Sequence, residues 1–231
     1  LAQCGVCSRR DADKLIEQGK VLVNGQVAGM GQQVEETDTV QVGKKILQGK
    51  QTQKVLAFYK PVGVTCTERD PHAEKKIMDM IRYPERLTYA GRLDKDSEGL
   101  ILLTNDGDLI NAMMRGANRH EKEYIVKTDR EITPDFLEKM AKGIYLKDLD
   151  ITTRECEIEQ IGKFTFRIVL TQGVNRQIRR MCEACGYRVK ALKRIRIMNI
   201  LLGDLKPGKW REVTGEELEQ LQRDTGMLNR N

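Results

Sequence analysis

The chain has 231 residues, 39% of them hydrophobic and 32% charged, with a formal net charge of +6. That length can bury one large or two modest cores. No apolar run is long enough to span a bilayer as a helix and the opening residues carry no basic-then-apolar leader, so the expectation is a soluble, cytoplasmic monomer with no membrane association. The charge is unevenly spread: residues 173–196 hold eight Arg and Lys against a single acid, Glu183. Such a strip suits a polyanion, because neutralised phosphates release counterions; a solvated charged face is the plain alternative.

Leu1 stands where a start methionine would, so the sequence is expected to begin partway into something longer or processed. Ser8-Arg9-Arg10-Asp11 reads as a capping-box variant for a short helix over Ala12, Leu15 and Ile16, with Gly19 ending it. Asn24-Gly25 between the apolar runs 21–23 and 26–28 signals a tight hairpin, and residues 40–42 add a strand. Arginines at a helix start run against the helix dipole, which favours a role facing a ligand. The polar, basic stretch ending at 54 reads as a linker. The resulting organisation is a front module at 1–46, a linker at 47–54 and a larger domain at 55–231.

The larger domain opens with a strand at 55–59 and a turn, Lys60-Pro61-Val62-Gly63, whose Pro and Gly suit an architectural role. A loop follows that concentrates Arg92, Asp94, Lys95, Asp96 and Glu98 between Gly91 and Gly99, ahead of the apolar strand 100–103. Asp94-x-Asp96-x-Glu98 imitates the start of a calcium loop, but the twelfth position is Asn105 and no helix precedes it, so calcium is rejected. Asp108 is positioned to cap a helix over Leu109, Ala112 and Met113. Strands are expected at 122–127 and 164–170, with a helix started by Thr133-Pro134 and ended by Gly143 between them. Ile178, Met181, Cys182 and Cys185 form one buried helical stripe, on which the thiols act as small hydrophobes. The two C-x-x-C pairs, at 4–7 and 182–185, lie too far apart for a zinc ribbon. His72 and His120 are isolated and read as structural or surface residues. Strands with interspersed helices, without a regular βαβ repeat, give an α+β fold: a small αβ module and a larger, mostly antiparallel mixed-sheet domain.

Four blocks in order carry a resemblance: Lys60-Pro61-x-Gly63, then Gly91-Arg-Leu-Asp94 with Ser97-x-Gly99-Leu-Ile-Leu-Leu-Thr-Asn-Asp-Gly107, then Lys122-x-Tyr124, then Asn175-Arg-Gln-Ile-Arg-Arg180. The chain resembles the RNA pseudouridine synthases, in the branch that modifies ribosomal RNA, and its front module resembles the small RNA-binding domain of ribosomal protein S4. The resemblance implies isomerisation of uridine in structured RNA, large-subunit (23S) ribosomal RNA first, with transfer RNA left open as a substrate. It implies no metal and no cofactor. It makes Asp94 the essential aspartate, attacking the base or the ribose or removing a proton beside the anomeric carbon, three routes that stay open. It places Arg179 in a salt bridge to Asp94, and Tyr124 as the ring that stacks on the flipped uracil. A carboxylate in a closed pocket needs such a cation to stay ionised, since desolvation alone favours its neutral form. The residues expected to face RNA are Arg9, Arg10, Lys14, Arg92, Lys122, Arg176 and Arg180. Helical spacing sets Arg176, Arg179 and Arg180 on one face. Two other readings compete: a non-catalytic RNA-binding assembly factor, which has no need of Asp94, and a magnesium nuclease built on Asp94, Asp96 and Glu98.

Overall fold

The structure, a computed structural model, describes residues 1–47, 49, 52–67 and 74–228. His72 falls outside the described residues. The front module begins with α1 (Arg9–Glu17), where the Ser8 hydroxyl accepts the Asp11 amide at 3.2 Å and so satisfies a free helix-start donor. Strands β1 (Val21–Val23) and β2 (Gln26–Val27) are joined through Asn24 and Gly25, both at positive φ, the geometry of a tight hairpin turn. With β3 (Val40–Val42) and β4 (Lys45–Ile46) they form a sheet ordered β2-β1-β3-β4. Its small core gathers Val21, Val23 and Ala28 against Leu15, Ile16, Val40 and Val42.

Part of the stretch read as a linker is anchored rather than free. The Lys54 amide donates to the Asn105 side chain at 2.8 Å, and Asn105 returns a bond to the Thr52 carbonyl at 2.9 Å. A polar sequence without periodicity gave no sign of a partner some fifty positions away.

The larger domain supplies β5 (Val55–Lys60), β6 (Thr88–Ala90), β7 (Glu98–Thr104), α2 (Gly107–Met114), β8 (Lys122–Thr128), α3 (Pro134–Lys142), β9 (Tyr145–Leu146), β10 (Ile151–Thr152), β11 (Glu157–Gly162), β12 (Thr165–Leu170), α4 (Gln177–Ala184), β13 (Val189–Ile197), β14 (Ile200–Leu201), β15 (Trp210–Glu212) and α5 (Gly215–Asp224). Its nine-stranded sheet runs β11-β12-β8-β13-β7-β5-β15, with β14 against β13 and β6 against β7. Among the described residues β13 and β7 are its one parallel pair; the other pairings are antiparallel.

Burial explains why β5 and β7 read as continuous apolar runs. One face, with Ala57, Leu100 and Leu102, packs on Leu109 and Met113 of α2 and Leu221 of α5. The other, with Leu56, Phe58, Ile101 and Leu103, packs on Ile77, Ile81 and Leu87, so both faces of these strands are dry. A second half-core joins Val126, Phe166 and Ile168 to Phe136 and Met140 of α3 and Ile178, Met181 and Cys182 of α4. The helix after β7 is capped by Asp106, whose carboxylate accepts the Asp108 and Leu109 amides, and not by Asp108 as the sequence suggested.

The parallel contact depends on Gly99. It sits at φ +113, and a Cβ there would lie 2.2 Å from the Arg194 carbonyl oxygen. Gly99→Ala is therefore expected to cost roughly 2–4 kcal/mol through backbone strain and overpacking, read as a lower denaturant midpoint at unchanged slope.

Candidate active site

The charged loop between β6 and β7 is held from below by groups that carry few sequence signals of that role. The Gly63 amide donates to the Lys95 carbonyl at 2.7 Å, so the Lys60–Gly63 turn braces the loop. Lys60 itself is fully buried and donates to the Pro61 and Val64 carbonyls at 2.9 and 2.8 Å. Burial lowers its pKa to about 8, although the nearby Cys66 thiol and the Asp94 and Asp96 carboxylates favour its charged form. Within the loop, the Ser97 amide donates to the Asp94 carbonyl at 3.1 Å. Arg194 of β13, 3% exposed, donates from Nε to the Leu100 carbonyl at 2.7 Å and from Nη1 to the Arg92 carbonyl at 3.4 Å.

The arginines divide their work differently from the expectation. Arg176 lies 3.5 Å from an Asp94 carboxylate oxygen and bonds both oxygens of Asp96, at 3.2 and 3.0 Å. Arg179 does not meet Asp94. It donates to the Asp96 carbonyl at 2.9 Å and the Ser97 hydroxyl at 3.1 Å, with the Asp96 carboxylate at 3.3 Å, and so clamps the loop that carries Asp94. The reason is backbone geometry: Arg176 precedes the first turn of α4 at φ 52, in the left-handed region, so it leaves the helical face on which the spacing argument put it. Partial burial pushes the Asp96 carboxyl up, but the hydrogen bond from Arg176 and the charges of Arg179 and Arg176 outweigh it and hold the group below the usual carboxylate range. Glu98 turns elsewhere and accepts the Tyr59 hydroxyl at 2.9 Å. Of the three acids named by the nuclease reading, Asp94 and Asp96 share Arg176 while Glu98 turns to Tyr59, and no group of three His, Cys, Asp or Glu converges for a metal among the described residues.

A pocket of about 420 Å³ opens at this junction. Arg92, Asp94, Ser97, Lys122, Tyr124, Arg176, Arg179 and Arg194 all contribute to its wall, so Asp94 and Tyr124 face one cavity despite twenty-nine intervening positions. Two of the residues expected to face RNA are engaged by carboxylates. Arg180 is paired with Asp148 and donates to the Asn175 carbonyl at 2.9 Å, outside the pocket. Arg9 bonds Asp108 at 2.6 Å, which ties α1 to α2 through a largely exposed pair. Arg10 and Lys14 are exposed on α1 and form no part of the pocket wall. Lys122, also expected to face RNA, is half-buried in the pocket wall. The basic strip is likewise less free than its composition suggested, since Arg196 is bound to Glu123 at 2.6 Å and Glu121 at 3.0 Å.

Comparison with known proteins bears directly on this arrangement. The sequence profile of the RNA pseudouridylate synthase family matches residues 54–184, and that of the S4 domain matches residues 1–40. The chain belongs to the RNA pseudouridine synthase family. The synthase is 44% identical to the dual-specificity RNA pseudouridine synthase RluF of Escherichia coli, over 96% of this chain and 76% of the relative. It is 33% identical to the ribosomal large subunit pseudouridine synthase B of Pseudomonas aeruginosa, over 98% of this chain and 61% of the relative. A solved crystal structure of a pseudouridylate synthase superposes with a TM-score of 0.71 at 27% identity, over 95% of this chain and 96% of that one.

Several pocket residues of the synthase had no signal in the sequence. Thr65, Cys66, Met114 and Gln172 line the cavity but sit in no charged or glycine-hinged pattern. Ser97 lies within a recognised block, yet its hydroxyl's role as the seat of Arg179 appears only in three dimensions. Cys182, with its thiol pushed up to about 12 by burial, packs as the small hydrophobe expected.

Proposed function

We propose that this synthase isomerises uridine in large-subunit ribosomal RNA, with Asp94 as the essential group. The observation that carries the reading is the shared cavity: a carboxylate paired with Arg176, and Tyr124 on the same wall, in a space of about 420 Å³ suited to one extruded base. A nucleotide inside a helix cannot present its glycosidic bond to Asp94, so the target must leave the stack. Arg92, exposed at the pocket rim, is placed to meet the RNA strand as the base departs. Tyr124 offers an aromatic face for the base, and stacking of this kind is worth about 1–3 kcal/mol per base. Arg10 and Lys14 on α1 are free to meet phosphate, whereas Arg9 would first have to leave Asp108.

The relatives support ribosomal RNA as the substrate: one is named for the large ribosomal subunit, and another is named dual-specificity, which leaves room for a second class of RNA. The test supplies the purified protein with transcripts of large-subunit ribosomal RNA, small-subunit ribosomal RNA and transfer RNA, in chelator, and maps pseudouridine in each. Conversion at discrete sites of the large-subunit RNA with strand length unchanged is expected. Binding without conversion would favour the assembly-factor reading, and metal-dependent strand breaks would favour the nuclease.

A further inference from the structure

Among the described residues, two basic side chains in the pocket have no carboxylate bonded to them. Lys122 opens β8 two positions before Tyr124, so the two side chains leave the same face of the strand. Arg194 of β13 stands directly across the antiparallel ladder from Tyr124. Both cations therefore flank the aromatic ring, and both line the pocket that holds Asp94. Arg194 is 3% exposed, and its Nη2 is buried without a hydrogen-bond partner among the described residues while its other donors are taken by backbone carbonyls. Lys122 has neither hydrogen bond nor ion pair with any described residue. Burial, and then the neighbouring guanidinium, lower the Lys122 ammonium to about 8. A buried guanidinium and an ammonium that burial disfavours are thus kept side by side, the arrangement of a site awaiting a negative guest.

Among the groups that uridine isomerisation generates, one has this chemistry. When the C1′–N1 bond breaks, its electron pair stays on the base, leaving a uracil anion with charge spread over N1, O2 and O4. The base turns, the C5–C1′ bond forms from the electrons of the base, the C5 proton is lost and N1 takes one up. Composition is unchanged and no oxidant is needed.

We infer that Lys122 and Arg194 form a subsite that binds the carbonyl oxygens of the detached uracil anion and holds it beside Tyr124 while it turns. This assignment rests on the reading of the pocket as a uridine isomerase site. It makes the base the part of the RNA that Lys122 meets.

The test compares wild type, Lys122→Met and Lys122→Arg in single-turnover reactions on uridine RNA and on the same RNA carrying 5-fluorouridine, with consumed nucleoside measured by mass spectrometry after digestion. Fluorine stabilises the departing anion, so a substrate that carries it needs the cations less. Lys122→Met is expected to slow uridine conversion by about 100-fold and 5-fluorouridine conversion by about 10-fold or less, because loss of one preorganised charge donor removes stabilisation of developing charge. RNA affinity should stay within about 3-fold, and Lys122→Arg should recover most of the rate. Thermal melting of Lys122→Met should show a fold at least as stable as wild type, since an unpaired buried charge has been removed. Equal losses on both substrates, a rate loss matched by lost RNA affinity, a wild-type rate in Lys122→Met, or a wild type that leaves 5-fluorouridine intact would each overturn the subsite. A wild type inert on uridine in every RNA would instead overturn the proposed function.

Discussion

Asp94→Asn is expected to abolish isomerisation while leaving RNA affinity within about 3-fold of wild type, because asparagine keeps the shape and loses the nucleophilic or basic carboxylate. A fall of about 10⁴-fold or more is anticipated for loss of the proposed essential group. The fold has little at stake in the change. The loop is held by the backbone of Asp94, whose carbonyl accepts from Ser97, by Arg179, and by the Gly63 amide that donates to the Lys95 carbonyl, none of which needs the Asp94 side chain. Melting temperature should therefore move by no more than about 2 °C. Substantial turnover by a fully folded Asp94→Asn protein would take the reacting group elsewhere in the pocket.

The second large effect separates the two arginines. Arg176 is the cation closest to Asp94 and also grips Asp96 with both arms of its guanidinium, so Arg176→Lys is expected to lower the single-turnover rate by about 100-fold, through loss of the planar fork rather than of charge. Arg176→Gly gives an internal control. Glycine adopts the left-handed conformation found at Arg176 without a steric penalty, so strain of about 1 kcal/mol is relieved while the ion pair is lost. Its activity should fall at least as far as that of Arg176→Lys, with melting temperature near that of wild type. Arg179→Lys should act on both stability and rate, because Arg179 holds the Asp96 carbonyl and the Ser97 hydroxyl. A rate loss specific to Arg179→Lys, with Arg176→Lys unaffected, would restore the pairing that the sequence resemblance implied.

What could be read in advance, and what could not, follows a physical boundary. The Asp94 loop was legible because local signals coincide there: Gly91 and Gly99 as hinges, clustered charge, and an apolar strand immediately after. The dry strands β5 and β7, the Asn24-Gly25 turn and the Thr133-Pro134 helix start were legible for the same local reason. The partner of Asp94 was not. Choosing among Arg176, Arg179 and Arg180 requires knowing that α4 begins at Gln177 and that Arg176 stands outside its helical phase. The basic strip pointed to a polyanion but not to which of its charges are paired internally: Arg196 is held by Glu121 and Glu123, both distant in sequence. Strand β11 gave no pattern at all: it is an edge strand with mostly exposed residues, so no apolar alternation was imposed on it. The capping of α2 by Asp106 rather than Asp108 was a matter of two positions in a turn containing both.

The most direct measurement is release of tritium from large-subunit ribosomal RNA labelled at uracil C5, in chelator, with wild type and Asp94→Asn run side by side. Release by the wild type alone, without shortening of the RNA, is the predicted result. Equal release from both proteins would contradict the role of Asp94, and no release from either, with RNA tightly bound, would contradict catalysis at this pocket.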